Sequence, residues 1–275
     1  QRGATMGDIR VVVDGAGGRM GRMVTATIQR EPGVSVVGAV DVPGSPLIGQ
    51  DVGTLAGVGE LGVPVVDALA SVVDGADVVI EFTLPEATLA NLRVAVERDK
   101  RMVIATTGFD SGQAAELDAL AANIPCVMAS NYSIGVNALI KAVTLMAETL
   151  GDDYDIEIVE AHHNQKVDAP SGTAVTLLKA AAEGVQRNVD DVANYGREGI
   201  VGARPPKEIG VHAVRGGDIV GDHTVMFVGM GERVELTHRA QSRQTFANGA
   251  IRAARWLMTA PPGMHSFAKV LFGEE

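Results

Sequence analysis

The sequence predicts an α/β protein, with a doubly wound parallel sheet in its first half and an α+β unit with a mostly antiparallel sheet in its second half. In the first half, short apolar strands alternate regularly with helices, which is typical of parallel βαβ units. In the second half, strand-like runs follow one another across glycine turns, which favours antiparallel pairing. The length of 275 residues, with 46% hydrophobic residues, is enough for one or two domains.

Composition and charge exclude several classes of protein. The formal net charge of −11 argues against non-specific binding to nucleic acid or to an anionic membrane. No stretch reads as long and apolar enough to span a membrane, and the N-terminal segment lacks the apolar core of a secretory signal. The single cysteine, Cys126, cannot form an intrachain disulfide. We therefore expect a cytoplasmic protein that binds neither nucleic acid nor membrane.

The predicted strands of the first half end in small or polar residues. We predict strands at 9–13, 34–40, 76–82, 101–106 and 125–129, with helices at about 19–29, 85–98 and 111–122. Ligands of open α/β sheets bind at the carboxyl ends of the strands. The loops at 82–83, 106–108 and 131–133 are therefore expected to line a ligand groove.

A glycine-rich turn indicates which ligand this groove takes. Gly15-Ala-Gly-Gly-Arg-Met-Gly21 connects the first strand to a helix, so the backbone can approach a pyrophosphate at the helix N-terminus. Asp41 ends the second strand, where an acidic side chain can accept hydrogen bonds from ribose hydroxyls. Strand, loop, helix, strand and acid in this order predict a Rossmann dinucleotide-binding domain.

The second half changes character after a helix at about 136–150. Strand-like runs follow at 155–160, 209–214, 218–228 and 233–239, and the last three look like an antiparallel meander. A helix at about 171–184 would cover one face of this sheet, and 185–207 reads as a long loop. A last helix is predicted at about 246–258. We place the domain boundary near residues 133–135.

Residues 160–174 carry the densest chemistry of the chain. Within this stretch stand two adjacent histidines, His162 and His163, then Lys166 and a Ser-Gly-Thr turn that opens a helix. Imidazoles move protons near neutral pH, an ammonium group holds a carboxylate, and a helix N-terminus stabilises an anion. The combination predicts a pocket for a small, negatively charged substrate that must be protonated.

This stretch resembles the signature of the 4-hydroxy-tetrahydrodipicolinate reductases, also called dihydrodipicolinate reductases, of bacterial lysine and diaminopimelate synthesis. Further blocks from about residue 9 to residue 256 resemble the family in the same order, among them Arg215-Gly-Gly-Asp-Ile-Val-Gly221 and Ser242-Arg-Gln-Thr-Phe246. The resemblance implies an NAD(P)H-binding domain at 6–133, joined by a C-terminal segment at about 244–275. It also implies a substrate-binding and oligomerisation domain at 134–243, a homotetramer, and reduction of a cyclic imine dicarboxylate with loss of water.

The resemblance assigns a role to each polar group of the signature. His162 and Lys166 form the proton-handling pair, and Lys166 also attracts the dicarboxylate. His163 contacts one substrate carboxylate, while Gly172 and Thr173 hold the other. We expect Glu160 and Asp168 to order the loop and Glu157 to be solvated. The remaining histidines are interpreted as structural: His212, His223, His238 and His265.

The resemblance also carries over the cofactor contacts, for NADH, NADPH or both. They are Gly15, Ala16, Gly17, Gly18, Arg19, Met20, Asp41, Phe82, Ala105, Thr106, Thr107, Ala129, Ser130, Asn131, Tyr132, Arg243 and Phe246. In some relatives an arginine follows the acidic residue and pairs with the 2′-phosphate of NADPH, but here the position is Val42. Leu84 likewise stands where relatives have arginine. We predict that NADH is used at least as well as NADPH.

Three other functions remain open from the sequence. A hydrolase could use Glu160, His162, His163 and Asp168 as metal ligands, but their spacing matches no His-Glu-x-x-His arrangement and Lys166 would oppose a cation. We expect no metal. A nucleotide sensor would keep the glycine turn and leave the histidine–lysine cluster unexplained. A dehydrogenase of another small carboxylic acid is the third alternative.

Overall fold

The computed structural model describes residues 7–273, and this part of the chain forms two compact units. Unit 1 contains the chain up to Tyr132 and again from Arg243, and unit 2 is Ser133–Ser242. Part of the N-terminal segment used for the signal-sequence argument lies outside the described residues. So do Met6, where the first domain was predicted to start, and the last two residues of the predicted C-terminal segment.

Unit 1 contains a seven-stranded sheet with the strands β1 (Ile9–Asp14), β2 (Val34–Val40), β3 (Val65–Val66), β4 (Val78–Glu81), β5 (Arg101–Ile104), β6 (Pro125–Met128) and β12 (Gly263–Ser266). All neighbouring strands are parallel, in the order β12-β6-β5-β4-β1-β2-β3. Its helices are α1 (Arg19–Ile28), α2 (Val52–Ala56), α3 (Pro85–Glu97), α4 (Ser111–Ala121), α8 (Gln244–Leu257) and α9 (Phe267–Phe272). The five strands predicted in this half are confirmed.

Local sequence explains where these elements begin. Valine and isoleucine fill β1 and the strands beside it, and they are buried on both faces as a central parallel sheet requires. Pro85 stands in the first turn of α3, where its missing N–H costs nothing. Asp110 and Gln113 form a capping box at the start of α4. Strand β12 was not predicted, because Gly263-Met-His-Ser266 lacks β-branched residues and is a strand through its pairing with β6.

Unit 2 is a five-stranded sheet with helices on one face. Its strands are β7 (Asp155–His162), β8 (Ala193–Asn194), β9 (Ile209–Arg215), β10 (Gly221–Val228) and β11 (Arg233–Ala240). Its helices are α5 (Ile134–Leu150), α6 (Gly172–Gly184) and α7 (Val189–Val192). Helices α5 and α6 pack on each other and cover the apolar side chains of the central strands, including Ile156, Ile158 and Phe227.

The predicted pairing in unit 2 is only partly right. The order is β11-β10-β7-β9-β8, so the β10–β11 hairpin and the β10–β7 pair are antiparallel, whereas β7–β9 and β8–β9 are parallel. The sheet is mixed, not mostly antiparallel, and the meander is wrong because β7 lies between β9 and β10. In the predicted meander, the Gly216-Gly217 turn would join β9 directly to β10. In fact it crosses the end of β7, where Gly216 donates to His162 O and Gly217 O accepts from Asn164.

One helix contradicts the expectation that no stretch is long and apolar enough to cross a membrane. By length and composition, Ile134–Asp153 passes that test, with a mean hydropathy of 1.3. Its pattern is that of a helix on a core, since Val136, Leu139, Val143 and Ala147 are buried on one face. Residues 185–207, predicted as a loop, contain the short α7 and β8.

Candidate active site

The glycine-rich turn of unit 1 brings the backbones of three elements close together. Gly15 has a φ of 76°, and a Cβ there would stand 2.5 Å from the backbone oxygen of Phe82. A Cβ on Gly21, in α1, would stand 2.2 Å from the oxygen of Gly15. Because only glycine permits these approaches, the turn has the tight backbone that a pyrophosphate cradle at the N-terminus of α1 needs.

The carboxylate of Asp41 reaches this turn from the end of β2. One oxygen accepts a hydrogen bond from the N–H of Gly17 at 2.8 Å, and the other accepts one from the N–H of Val42 at 2.7 Å. A Cβ on Gly17 would stand 2.1 Å from the Asp41 carboxylate. The structure thus places Asp41 beside the glycine turn, where the sequence calls for an acceptor of ribose hydroxyls.

A cavity of about 530 Å³ opens beside Asp41. Three carboxylates belong to its wall, those of Asp14, Asp41 and Asp67, and the exposed side chains of Val42 and Leu84 line it as well. Within residues 7–273, no lysine or arginine lines this cavity. The cavity therefore suits a neutral group that donates hydrogen bonds, such as a nucleoside, better than it suits a phosphate.

A second cavity in unit 1, of about 150 Å³, collects residues from five separate segments. All of its lining residues are among the predicted cofactor contacts: Met20, Phe82, Ala105, Ser130, Asn131, Tyr132 and Phe246. Tyr132 is fixed because its buried hydroxyl lies 2.8 and 2.9 Å from the backbone oxygens of Ile104 and Val127, which share its single proton. Sequence positions far apart in unit 1 are thereby brought to one wall.

The other predicted cofactor contacts have different surroundings. Arg19 is exposed at the first position of α1, and Ala16 is buried in the core beneath the turn. Thr107 is exposed after β5, and Ala129 donates a backbone hydrogen bond to Ile104. Arg243 is the N-cap residue of α8.

Two buried carboxylates beneath the glycine turn were not singled out by the sequence. Asp14 and Glu81 are paired in register across β1 and β4, and they are 2% and 0% exposed. Asn91 donates to Asp14 at 2.6 Å, while Glu81 accepts from the hydroxyls of Thr106 at 2.6 Å and Thr83 at 2.5 Å. Burial, followed by the charge of Glu81, raises the pKa of Asp14 from 3.8 to about 7.

Unit 2 holds a histidine fixed by a buried carboxylate. His162 is the last residue of β7, and its Nδ1 lies 2.6 Å from Oε2 of the fully buried Glu160. Glu160 also accepts two hydrogen bonds from Arg215, both at 2.8 Å, and one from the N–H of Ser171 at 3.0 Å. Burial lowers the pKa of His162, the contact with Glu160 raises it, and Lys166 and Arg215 lower it. The pKa therefore lies below the ordinary 6.5.

A second histidine packs against the first. The ring of His223, on β10, meets the ring of His162 edge to face, with centroids 5.2 Å apart. Nε2 of His223 lies 3.1 Å from the hydroxyl of Ser171. Burial, followed by the charge of His162, lowers the pKa of His223 to about 4, so this ring is neutral near pH 7.

The remaining predicted site residues of unit 2 lie between β7 and α6. The ammonium group of Lys166 is 2.7 and 2.8 Å from the two carboxylate oxygens of Asp168. The N–H of Lys166 donates to the carbonyl of His163 at 3.1 Å. Gly172 and Thr173 begin α6, whose N-cap is Ser171. The structure thus places an ammonium group and a helix N-terminus in one loop, which can hold two carboxylates.

Reasoning from the sequence missed one partner in unit 2, Arg215, and was wrong about the surroundings of Glu157. Arg215 belongs to a stretch that resembles the family, but no role was predicted for it. The signal was Glu160, because a carboxylate inside a predicted strand needs a cation to neutralise it. Glu157 was expected to be solvated and is not: it accepts from Arg197 at 2.7 Å, Arg204 at 2.9 Å and His212 at 2.7 Å.

Among the described residues, no group of three or more His, Cys, Asp or Glu side chains is placed to hold a metal ion.

The parallel sheet, with a glycine-rich turn after its first strand, is the fold of the dinucleotide-binding domain in nicotinamide-dependent oxidoreductases. The sequence profile described as dihydrodipicolinate reductase, N-terminus, matches residues 9–132, and the one described as dihydrodipicolinate reductase, C-terminus, matches residues 135–271. The chain belongs to the dihydrodipicolinate reductase family.

Named relatives agree with this assignment. The chain is 52% identical over 263 residues to a 4-hydroxy-tetrahydrodipicolinate reductase of Magnetococcus marinus, covering 96% of this chain and 98% of that one. It is 50% identical over 264 residues to the enzyme of that name from Trichlorobacter lovleyi, with the same coverage. A dipicolinate-bound dihydrodipicolinate reductase from Paenisporosarcina sp. superposes with a TM-score of 0.75 at 26% identity, covering 94% of this chain and 97% of that one.

Proposed function

We propose that this chain reduces 4-hydroxy-tetrahydrodipicolinate to tetrahydrodipicolinate, with loss of water, as a step of lysine and diaminopimelate synthesis. The observation that carries the proposal is the site at the end of β7, where His162 is fixed by a buried carboxylate next to Lys166 and the start of α6. The substrate is a cyclic dicarboxylate, which needs two anion contacts and one proton donor. The relative from Paenisporosarcina, whose structure is described as dipicolinate-bound, supports a ligand of this class.

Unit 1 fits a nicotinamide dinucleotide through the glycine turn, Asp41 and the two cavities. When bound, the cofactor supplies a hydride. The backbone of Gly15–Met20 would hold the pyrophosphate at the N-terminus of α1, with Arg19 beside it. Asp41 would accept hydrogen bonds from the ribose hydroxyls, and the wall containing Phe82 and Tyr132 would pack against the nicotinamide end.

The chain's own residues bind and orient the substrate. Lys166 would hold one carboxylate in place of its present partner, Asp168, and His163 would assist it. Gly172 and Thr173 would hold the other carboxylate at the N-terminus of α6, where the helix dipole is positive. A molecule with a formal net charge of −11 needs this local positive charge to bind a dianion.

His162 would then donate the proton. Addition of a hydride to the conjugated imine leaves negative charge on the ring, and an acid must neutralise it. The free site disfavours the charged imidazole because it is buried and lies near Lys166 and Arg215. A bound dianion favours the charged form, so substrate binding would load His162 with the proton that the reaction uses. The positive charge of Lys166 acts on the His162 ring, so both groups would take part in the proton step.

We also propose that NADH is used at least as well as NADPH. The wall that would surround the adenosine ribose carries the carboxylates of Asp41 and Asp67 and the carboxyl group of Asp14, and no described lysine or arginine belongs to it. A 2′-phosphate would meet Asp41 at its ribose without a cation to pair with.

A homotetramer in the cytoplasm completes the proposal. Helices cover one face of the unit 2 sheet, and Val214 of β9 is 48% exposed. An uncovered sheet face with apolar side chains is suited to association between copies of the chain.

Variants of the two proton-handling residues test the proposed function. We expect His162→Asn and Lys166→Met each to lower kcat by about 10²- to 10⁴-fold, while NADH binding measured by fluorescence is kept. His212→Asn and Lys179→Met are matched controls, because His212 pairs with Glu157 and Lys179 is exposed on α6. Full activity of both site variants would contradict the assignment. A parent protein that binds NADH without turnover would favour a sensor, or a dehydrogenase of another acid.

A further inference from the structure

The carboxylate of Glu160 is saturated by hydrogen-bond donors. Arg215 donates a hydrogen bond to each oxygen, from Nη1 to Oε2 and from Nη2 to Oε1, both at 2.8 Å. The N–H of Ser171 donates to Oε1 at 3.0 Å. Nδ1 of His162 takes the remaining place on Oε2, at 2.6 Å. A carboxylate with three fixed donors can only accept from its fourth neighbour, so the proton of the imidazole must sit on Nδ1.

We propose that Glu160 is a positioning residue for the reaction: held by Arg215 and Ser171, it fixes the proton of His162 on Nδ1 and leaves Nε2 as the nitrogen that exchanges a proton with substrate. This inference rests on the proposed function for the role of His162. It assigns Glu160 a task beyond ordering the loop, because the same contacts set both the tautomer and the charge of the reacting ring.

The surroundings of Nε2 agree with this assignment. A Cβ on Gly221 would stand 3.0 Å from Nε2, so the glycine keeps that side of the ring uncrowded. His223 packs on the ring edge to face and is neutral near pH 7, so it supports the ring without adding charge. The orientation of His162 is therefore fixed at Nδ1 and by packing, while Nε2 stays open to a reactant.

Four charged or titratable groups act on His162, from every element around it. Glu160 lies on its own strand, Arg215 on β9, His223 on β10 and Lys166 on the following loop. The negative charge of Glu160 favours the imidazolium, whereas Arg215 and Lys166 disfavour it. Removing Glu160 or Arg215 should therefore move the titration of His162 in opposite directions. A merely structural role for Glu160 would give no such opposed pair.

The experiment measures the titration of His162 and the pH profile of turnover in Glu160→Gln and Arg215→Met. The imidazole is followed by NMR of protein labelled at histidine Cε1, with its signal assigned from its loss in His162→Asn. In Glu160→Gln we expect the pKa of His162, and the pH above which kcat falls, to move down by about one pH unit or more. At neutral pH this lowers the imidazolium fraction, and with it kcat, about tenfold, with little change in the KM for substrate. In Arg215→Met both pH values should move up.

Glu157→Gln is the matched control. Glu157 lies three residues earlier on the same strand and also binds two arginines and a histidine, but it does not contact His162. This variant should lose stability and leave the His162 titration and the pH profile in place. An unmoved His162 titration in Glu160→Gln would overturn the inference. If that variant does not fold, an unmoved titration in Arg215→Met overturns it instead. Because NMR does not need turnover, a parent that fails to reduce the substrate would contradict the proposed function and leave this test intact.

Discussion

At the scale of single residues, a buried carboxyl group in each unit has its pKa shifted in the opposite direction: down for Glu160 of unit 2 and up for Asp14 of unit 1. Glu160 is buried with three permanent donors, and these outweigh its burial and keep its pKa below the ordinary value. Asp14 is buried beside another acid, Glu81, and has the side-chain amide of Asn91 as its partner. Glu160 is therefore ionised at neutral pH, whereas the carboxyl group of Asp14, with a pKa of about 7, keeps its proton in weak acid. The difference predicts a pH dependence of stability.

Asp14→Asn tests that dependence. The pKa of Asp14 is raised from 3.8 to about 7 in the folded protein, so between these pH values the folded state holds a proton that the unfolded state has released. Stability contributed by this group is therefore lost as pH rises through the window, on the order of 4 kcal/mol in all. Asn at this position cannot ionise. As the pH rises from about 5 to about 8, we expect the Tm of the variant to fall less than the Tm of the parent.

Asp77→Asn provides the opposite control for this experiment. The hydrogen bond from Arg10 lowers the pKa of Asp77, so its stabilising contribution is fully present at neutral pH and disappears only in acid. This variant should be less stable than the parent at pH 7. Parallel pH dependence of Tm in the parent and in Asp14→Asn would show that Asp14 does not titrate in this window.

At the scale of elements, the sequence predicted the strands of unit 1 well and the pairing of unit 2 poorly. Apolar β-branched runs between helices allow one arrangement, a parallel sheet, so β1 and β2 could be located from their composition alone. In unit 2 the alternation of apolar and polar side chains shows which face of each strand is buried, but it does not show which strands pair. Strand β7 lies between β9 and β10. The site followed the same rule: the motif at the end of β7 was evident, whereas Arg215 comes from a neighbouring strand and depends on pairing.

The close packing of α1 against the glycine turn predicts the effect of one methyl group. Gly21→Ala would place a Cβ 2.2 Å from the backbone oxygen of Gly15, so α1 or the turn must move. We expect a loss of about 1–3 kcal/mol in the free energy of unfolding, together with weaker NADH binding. Gly75→Ala is the control, because a Cβ there meets nothing within 4 Å. Equal NADH affinity in the two variants would contradict a cofactor role for this turn.

At the scale of the whole molecule, the proposed chemistry is divided between two units of different architecture. Unit 1 offers the glycine turn, Asp41 and a cavity lined by carboxylates, and unit 2 offers a histidine, a lysine and a helix N-terminus. In the proposed function, the loop before α6 supplies the local positive charge that a chain with a formal net charge of −11 needs to bind a dianion. The proposed roles of the two units agree with the reaction for which the reductase family is named.

The most direct test of the account is the rate at which the parent protein oxidises reduced nicotinamide. The substrate would be generated in the cuvette from pyruvate and aspartate semialdehyde by a separate synthase, and NADH and NADPH would be compared in parallel. We predict turnover that depends on the synthase, with a kcat/KM for NADH at least equal to that for NADPH. A strong preference for NADPH would contradict the interpretation of the carboxylate-lined cavity. The absence of turnover by folded protein that binds NADH would contradict the proposed function itself.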